Sequence, residues 1–391
     1  MRIGIISDFF PMYGAKSIEK LVQSLEKERH SAVILTSNYL QDKSSYPSGV
    51  SRFGKRSVII RFPSRFVLLS ASPLSFPISL PFQANRYFQK FNVDIVHLHF
   101  LASQSFQAYA LLSLVRKNFP IVGTSHGIVA GYNSPLLQLI AAAIRTISRI
   151  SLKSIDCFSV VTKLTIPFLR SLGVDQKKIH YVPNGVDASI FKTRNRKESE
   201  NKLDLENSVR KRVLFLAHLR KSKGVDVFIA AANKIIKRRD DVEFLIVGSG
   251  PLEEKVKHFV QNSNGYIQHR SYIEDNLLPY AYNTADIYVL PSFVEGLPQS
   301  LIEAMACGVA SIATDVGGVS ELFPNPTNRF LIKPSDIDDL VSNIELLLDN
   351  DVLRNETGKI QGNHVKKCYS QERITQLYLQ LYTSVIEERS Q

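Results

Sequence analysis

The chain has 391 residues, a formal net charge of +12 at pH 7 and 44% hydrophobic residues. This composition is that of a soluble globular protein, and the length predicts two domains. The sequence contains no internal repeat of solenoid period and no low-complexity tract. Its three cysteines lie far apart, at positions 157, 307 and 368. They exclude a disulfide framework and indicate free thiols in a reducing cytoplasm.

Short apolar runs alternate with longer amphipathic stretches along the whole chain. Strands are predicted at residues 2–7, 32–36, 93–98, 120–124, 157–161, 179–182, 212–217, 242–247, 286–290 and 309–313. Helices are predicted at residues 17–29, 103–117, 225–238, 252–262 and 298–307. Strands that alternate with helices predict βαβ units and parallel sheets, and the number of strands fits two Rossmann-like α/β domains.

The segment at 191–211 is mostly charged or amide residues and predicts a solvated linker. We therefore expect an N-terminal domain at 1–190, a C-terminal domain at 212–370 and a packed terminal helix at 371–391. Residues 2–7 lack the features of a signal peptide, which favours a cytoplasmic protein. Residues 66–82 are uncharged but contain three prolines, and so predict an irregular apolar loop rather than a membrane span.

The positive charge lies in one half of the chain. Residues 1–190 contain 22 Lys and Arg against 9 Asp and Glu, a net +13, and the remainder carries −1. Arg145, Arg149 and Lys153 recur every four residues on one helical face, opposite apolar residues. This half therefore suits an anionic partner: lipid headgroups, a phosphorylated acceptor or nucleic acid. An ordinary solubilising surface is the alternative to peripheral membrane docking.

The stretch 286–308 combines a strand, a loop and a helix that begins near Pro298 and ends at Gly308. Glu295 lies after the strand, where open α/β sheets bind their ligands. Glu303 lies about five residues into the helix, roughly 7.5 Å along its axis. The helix start favours an anion, so a diphosphate there would place a sugar near Glu295 and a ribose near Glu303.

Most glutamates on helices are simply solvated, and this remains the alternative for Glu303. However, Glu303 is the only charged residue between Glu295 and Asp315, in an otherwise apolar helix. Such an isolated acid favours a functional role.

The Glu-x7-Glu spacing within EGLPQSLIEAMACGVASIATDVGG closely resembles the donor-site signature of retaining GT-B glycosyltransferases, in particular the large GT4-type (group 1) family. Further blocks are similar to the same family in the same order: DFFPMYGAKSIEKLVQSL, DIVHLHF, TSHG, VPNGVDASIF, KGVDVFIAA and LIVGSGP. The resemblance extends over most of the chain. It implies a GT-B fold, two Rossmann-like domains facing each other across a cleft, with the C-terminal helix packing back toward the N-terminal domain.

The resemblance also implies roles for individual residues. Glu295 would hold the transferred sugar, aided by the backbone N–H groups of Gly296 and Leu297. Glu303 would bind the ribose hydroxyls. Lys223 would neutralise the donor diphosphate without a metal, because the leaving group gains negative charge as the glycosidic bond breaks. His126 would face the sugar from the N-terminal domain.

The basic side of the donor site departs from the family pattern. His218 stands where the family usually has an arginine, and Arg220, two positions later, is the alternative source of that charge. The opening glycine pair of the family is Gly14-Ala15 here. Gly317-Gly318 predicts a tight turn near the donor, because a close backbone approach requires glycine.

Together these patterns predict retaining transfer of a sugar from a nucleotide-sugar donor to a hydroxyl acceptor. The acceptor is expected to be lipid-linked or a polysaccharide, in bacterial surface glycan synthesis. A sugar-nucleotide epimerase on the same fold is the alternative, and a nucleic-acid-binding protein is disfavoured because it would leave both glutamates unexplained. No cofactor or metal is expected: His97 and His99 share a strand but have no third ligand nearby.

Overall fold

The computed structural model describes residues 1–10, 17–39, 45–69, 72–101, 103–126, 145–206 and 208–390, and at 65–69, 72–76 and 390 the backbone alone. The chain divides into two compact units, Met1–Asn184 with Gln371–Gln391, and Gly185–Ser370. Each unit is built around its own parallel sheet. The expected α/β architecture of two Rossmann-like domains is confirmed.

The N-terminal unit contains the first ten strands: β1 Arg2–Ile6, β2 Ser31–Ser37, β3 Gly49–Phe53, β4 Ser57–Phe62, β5 Arg65–Leu69, β6 Ser72–Phe76, β7 Ile95–His99, β8 Ile121–Ser125, β9 Cys157–Val160 and β10 Ile179–Tyr181. Its helices include α1 Ser17–Lys27, α2 Leu80–Lys90, α3 Gln104–Val115 and α4 Thr165–Ser171, and residues 145–151 are also helical. The strand order in the sheet is β10-β9-β8-β7-β1-β2-β4-β3. All neighbours are parallel except β3 and β4.

The C-terminal unit contains six strands: β11 Lys211–Leu216, β12 Val242–Val247, β13 Ile267–Arg270, β14 Ile287–Leu290, β15 Ala310–Thr314 and β16 Leu331–Ile332. They form one parallel sheet in the order β13-β12-β11-β14-β15-β16. Its helices include α5 Arg196–Lys202, α6 Val225–Ile236, α7 Glu253–Gln261, α8 Leu278–Asn283, α9 Gln299–Ala306, α10 Ile337–Asp349 and α11 Asp351–Cys368. The last helix of the chain, α12 Gln371–Ser390, belongs to the N-terminal unit.

Alternating strand residues bury both faces of the N-terminal sheet, as expected for a parallel sheet covered by helices. Ile5 and Ile34 face a cluster that includes α1 and α12, whereas Ile6 and Leu35 face a cluster that includes α2 and α3. The predicted terminal helix therefore completes the core of the N-terminal unit. Its buried residues are Ile374, Tyr378, Leu381, Tyr382 and Val385.

The structure corrects the predicted solvated linker at 191–211. This segment contains α5 and lies within the C-terminal unit, and Leu203 and Leu205 are buried in that unit's core. Arg212 is 1% exposed, its Nη1 lies 3.1 Å from Glu200 of α5, and its Nε donates to Glu243 at 2.7 Å. Some of the charged residues that suggested a solvated linker, such as Glu200, therefore form buried ion pairs. A count of charged residues does not reveal such pairs.

The predicted irregular loop at 66–82 is also different in the structure. Strands β5 and β6 pair antiparallel with each other as a separate two-stranded sheet, and α2 follows from Leu80. Strands β3, β4, β13 and β16 were not predicted either. The described residues include no helix that is both long and apolar enough to cross a bilayer.

Candidate functional site

Glu295 lies in the loop between β14 and α9, at the carboxyl end of the sheet. The Ser292 hydroxyl donates a hydrogen bond of 2.7 Å to Glu295 Oε1. The Lys223 ammonium donates to both carboxylate oxygens, at 2.8 and 2.9 Å. The Glu295 side chain is 6% exposed and that of Lys223 30% exposed. The carboxylate is therefore held in a defined orientation, with the cation on its solvent side.

Backbone packing brings Lys223 to Glu295 across 72 positions of sequence. Lys223 ends a short 3-10 turn, Lys221–Lys223, and Gly224, with a left-handed φ of 71°, is the N-cap of α6. A Cβ on Gly224 would lie 1.8 Å from the Pro291 carbonyl oxygen, so only glycine fits there. The Phe293 N–H donates to the Ser222 carbonyl at 2.8 Å. These two contacts hold the lysine turn against the loop that carries Glu295.

The predicted tight turn at Gly317-Gly318 packs on the same loop. The Gly318 N–H donates to the Gly296 carbonyl at 2.7 Å. Gly317 has a φ of 56°, and a Cβ on it would lie 1.9 Å from the Glu295 carbonyl oxygen. The glycine pair thus lets this turn approach the loop closely and hold the backbone of Glu295 in place. Leu297 anchors the same loop, because its side chain is only 5% exposed and packs in the core.

Glu303 lies on α9, which begins at Gln299 with Pro298 as its N-cap, one residue later than predicted. Gly308 follows the helix with a left-handed φ of 81°, as expected for a glycine at a helix end. Glu303 is 6% exposed, so the solvated alternative is wrong. The Tyr282 hydroxyl donates to Glu303 Oε2 at 3.1 Å. Burial, and then the charge of Glu303, raises the pKa of Tyr282 well above its usual value.

Tyr288 connects the surroundings of the two glutamates. Its hydroxyl donates to Ser300 Oγ at 2.8 Å, on the first turn of α9. Burial raises the pKa of the Tyr288 phenol, and the negative charges of Glu295 and Glu303 raise it further. Tyr288 therefore stays a neutral hydrogen-bond donor beside both carboxylates.

The other two predicted basic residues, His218 and Arg220, lie on the loop after β11. A Cβ on Gly250 would lie 2.4 Å from His218 Nδ1, and the Leu219 N–H donates to the Ser249 carbonyl at 2.9 Å. Partial burial, and then the charges of Arg220 and Lys223, lowers the pKa of His218 below 6.5. The lowered pKa disfavours the charged form of His218, and the exposed cations of this loop include Arg220 and Lys221.

His126 of the N-terminal unit directly follows β8. Its Nε2 lies 3.0 Å from Nδ1 of His99, the last residue of the neighbouring strand β7. The Phe100 ring stacks on the His126 ring with centroids 4.2 Å apart. Burial lowers the pKa of His126 to about 4, so the imidazole is neutral near pH 7.

Some predicted features lie outside the described residues. These are Gly14, with Ala15, and the residues at 127–144. The basic stripe of Arg145, Arg149 and Lys153 lies within the described residues, and all three of its side chains are exposed. Within the described part of the chain, no three His, Cys, Asp or Glu side chains are grouped as a metal site requires.

Sequence reasoning missed three polar partners of the site. Ser292 stands three positions before Glu295, and its place between a strand and an acidic loop residue was an available signal. Tyr282 carried no such signal, because it is 21 positions from Glu303. The contact of His99 with His126 depends on the register of two strands, which the sequence does not give.

Two family models match the chain in tandem. Glycosyltransferase Family 4 matches residues 14–190, and Glycosyl transferases group 1 matches residues 195–363. The chain belongs to the GT4-type group 1 glycosyltransferases. The second match contains Lys223, Glu295 and Glu303, and the first contains His126, so family and site geometry coincide on the same residues.

Two curated relatives are similar over part of their length. One is D-inositol 3-phosphate glycosyltransferase of Paenarthrobacter aurescens, 28% identical over 55% of this chain and 53% of the relative. The other is the N,N'-diacetylbacillosaminyl-diphospho-undecaprenol alpha-1,3-N-acetylgalactosaminyltransferase of Campylobacter jejuni, 29% identical over 64% of this chain and 66% of the relative. The chain thus matches between about half and two thirds of the length of these relatives.

A solved structure supports the fold. HepE of Anabaena in complex with UDP-glucose has a TM-score of 0.72 at 15% identity, covering 98% of this chain and 100% of that one. This likeness confirms the GT-B fold of the chain. The epimerase alternative finds no support in these comparisons.

Proposed function

We propose that the protein transfers a sugar from a nucleotide-sugar donor to a hydroxyl acceptor, with retention at the anomeric carbon and without a metal. The observation that carries the proposal is the Glu295 carboxylate held by Lys223 and Ser292 on a glycine-packed loop. The Glu295 carboxylate can accept hydrogen bonds from sugar hydroxyls, and the Lys223 ammonium that contacts it can bind a diphosphate. The UDP-glucose bound to Anabaena HepE supports a nucleotide sugar as donor.

In the proposed reaction the bond between the anomeric carbon and the diphosphate oxygen breaks, and a bond to the acceptor oxygen forms on the same face. The acceptor proton passes to the leaving nucleoside diphosphate. Lys223 and Arg220 stabilise the charge that develops on this group, which is the role that a metal ion fills in other transferases. His218, on the same loop as Arg220, also contributes to donor binding.

The remaining site residues bind and orient the donor. Glu295 accepts hydrogen bonds from hydroxyls of the transferred sugar, and the backbone at Gly296 and Leu297 completes that contact. Glu303 accepts hydrogen bonds from the ribose hydroxyls. His126 binds a substrate hydroxyl.

Gly317 and Gly318 keep the sugar loop in place. Under this proposal the N-terminal unit binds the acceptor and the C-terminal unit binds the nucleotide sugar.

We further propose an acceptor that is lipid-linked or part of a polysaccharide, in bacterial surface glycan synthesis. The Campylobacter jejuni relative is named for a diphospho-undecaprenol substrate, and the N-terminal half of this chain carries the whole positive excess. Arg52 and Arg56 are exposed on the β3–β4 hairpin, whose turn is clamped because Glu26 accepts the N–H groups of Lys55, Arg56 and Ser57 at 2.8–2.9 Å. We therefore expect a cytoplasmic protein that docks on the inner face of the cell membrane, and no nucleic-acid partner.

The experiment that tests the function is a donor screen followed by transfer. Binding of UDP-, GDP-, ADP- and TDP-sugars is measured by calorimetry, and release of nucleoside diphosphate is then followed with and without lipid-diphosphate and oligosaccharide acceptors. We expect acceptor-dependent release that EDTA does not change, and a product with the anomeric configuration of the donor. Conversion of the sugar without an acceptor, loss of rate in EDTA or an inverted product would each contradict the corresponding part of the proposal.

Membrane docking has a separate test. Sedimentation with vesicles is compared for phosphatidylglycerol-containing and purely zwitterionic lipid at low salt. Equal or absent binding to both vesicles would contradict docking without touching the proposed reaction.

A further inference from the structure

A chain of buried polar groups runs through the N-terminal unit from its last helix to His126. The Tyr382 hydroxyl of α12 lies 2.8 Å from Nδ1 of His97, and Nε2 of His97 lies 2.5 Å from the Thr124 hydroxyl. The His97 ring lies against the His99 ring with centroids 4.0 Å apart. His99 in turn meets His126 at 3.0 Å. The ring of His126 is therefore held by a packed polar network.

Phe100 closes the other side of this arrangement. It has a left-handed φ of 64°, which is costly for a bulky residue and is found mostly where the surrounding structure imposes it. In this conformation its ring stacks on His126 at an interplanar angle of 23°. His126 thus lies between Phe100 and His99, and its ring orientation is fixed.

All three histidines are neutral near pH 7. His97 and His99 are 0% and 2% exposed. Burial lowers the pKa of His97 to about 3 and that of His126 to about 4, and it lowers that of His99 well below 6.5. The contact between His99 and His126 is therefore a hydrogen bond between two neutral rings, and it contains one proton.

The proton in this hydrogen bond has two arrangements. If His126 donated from Nε2, His99 would accept at Nδ1 and carry its own proton on Nε2. That atom is buried and has no hydrogen-bond partner among the described residues. A buried N–H without an acceptor costs roughly 1–3 kcal/mol, and orphaned N–H groups are rarer than under-used acceptors. The arrangement in which His99 donates from Nδ1 avoids this buried N–H.

We propose that His99 is a positioning residue that fixes His126 as the Nδ1–H tautomer. His126 Nε2 accepts from His99, so the single proton of the neutral ring resides on Nδ1. His126 can then donate a hydrogen bond to the substrate from Nδ1–H. It has no free lone pair to accept one, because the lone pair of Nε2 is used by His99. It binds an oxygen of the sugar or of the acceptor and does not take up the acceptor's proton. This inference rests on the proposed function for the identity of the ligand, but the tautomer itself does not.

The tautomer is measured directly by nitrogen-15 NMR of the full-length protein labelled at histidine, at pH 7.5. Long-range proton–nitrogen correlations distinguish the protonated ring nitrogen from the bare one. The His126→Gln variant identifies the His126 signals by their loss. We expect His126 and His99 each to be protonated at Nδ1. Protonation of His126 at Nε2 overturns the proposal whether or not any transfer activity is found.

Two pairs of variants test the consequence for the reaction. The Asn amide N–H occupies about the position of imidazole Nδ1–H, and the Gln amide N–H that of Nε2–H. We expect His126→Asn to keep at least roughly ten times more kcat than His126→Gln. We expect His99→Leu to lower kcat by about 10- to 100-fold with little change in the donor KM, by analogy with the loss of a partner that orients a metal-ligating histidine. His99→Asn should restore most of that loss.

These outcomes separate the inference from the proposed function. If wild type transfers no sugar under any condition, the function fails and the NMR measurement still decides the tautomer. If transfer proceeds and His126→Gln is as active as His126→Asn, the function stands and the tautomer assignment fails. Thermal unfolding of each variant identifies any that do not fold, and for those positions the wild-type NMR result is decisive.

Discussion

Two side chains contact the carboxylate of Glu295. Lys223 and Ser292 saturate one of its oxygens, and Lys223 also reaches the other. A diphosphate carries more negative charge than one carboxylate, so a bound diphosphate would attract the Lys223 ammonium away from Glu295. Glu295 would then accept sugar hydroxyls in place of the lysine. Under the proposed function, this single exchange of partners would prepare both the sugar contact and the diphosphate contact.

The first prediction concerns this carboxylate. Glu295→Gln keeps the size of the side chain and removes its charge, so it weakens both the contact with the sugar and the orientation of Lys223. We expect kcat to fall by about 100-fold or more, as when one preorganised polar group of an active site is removed. Because the Lys223 side chain is 30% exposed and can be solvated, the melting temperature should change little.

The matched control is Glu254→Gln, which removes the same charge from a side chain that is 88% exposed on α7. It should leave rate and melting temperature at the wild-type level. Initial rates at saturating donor and thermal unfolding compare the two variants. A Glu295→Gln enzyme that retains most of its rate would remove Glu295 from the proposed mechanism.

At the scale of elements, the site depends on loops that approach more closely than side chains allow. Gly224 lies against Pro291, and Gly317 lies against Glu295, each with a left-handed φ. These contacts join the α6 start, the β14–α9 loop and the turn after β15 into one rigid platform. Site geometry is therefore a property of backbone packing as much as of charged residues.

The second prediction compares two glycines of similar conformation. Gly224→Ala and Gly265→Ala both place a Cβ on a left-handed residue, at φ 71° and 81°. That strain costs about 1–2 kcal/mol at either position. A Cβ at Gly265 meets no heavy atom within 4 Å, whereas one at Gly224 meets the Pro291 carbonyl oxygen at 1.8 Å.

We therefore expect Gly265→Ala to lower stability slightly and to leave the rate unchanged. Gly224→Ala should in addition displace the Lys223 turn and lower kcat by roughly tenfold or more, since small misplacements of catalytic groups are costly. Denaturant unfolding and initial rates provide the comparison. Equal rates for both variants would show that the turn does not position Lys223.

At the scale of the whole molecule, the chain forms two units with separate cores, and α12 returns to the first of them. That helix contributes Tyr382 to the buried histidine network and apolar residues to the sheet core. The stability of the N-terminal unit therefore includes groups that must remain uncharged. This property makes the unit sensitive to acid.

The third prediction follows from His97. Its pKa of about 3 in the folded protein lies below the usual 6.5, so its contribution to stability is complete above pH 6.5 and is lost as pH falls toward 3. His97→Gln lacks this titration. We expect the stability advantage of wild type over the variant to shrink by about 2 kcal/mol between pH 7.5 and pH 5, because the unfolded histidine gains a proton there.

Urea unfolding of both proteins at the two pH values measures this difference, with separate transitions fitted if the two units unfold independently. Wild type at pH 7.5 provides the reference for each transition. An advantage that stays constant with pH would mean that His97 titrates alike in the folded and unfolded states.

The sequence by itself determined the features that depend on local order. Apolar runs of strand length predicted ten of the strands, and helical spacing predicted α12 and α9. The spacing of Glu295 and Glu303 and the glycines at 308 and 317–318 indicated the loop and helix that form the candidate site. These signals survive in the sequence because they arise within a few residues, where the period of a strand or helix fixes which side chains share a face.

Only the tertiary structure decided which distant groups meet. Strand register brings His99 to His126, a backbone contact at Gly224 brings Lys223 to Glu295, and folding of 191–211 onto the C-terminal core brings Glu200 to Arg212. It also showed that partial burial and nearby cations lower the pKa of His218, and that the Arg220 side chain is exposed. The physical reason is that pKa values and long-range contacts depend on burial and on neighbours that are distant along the chain.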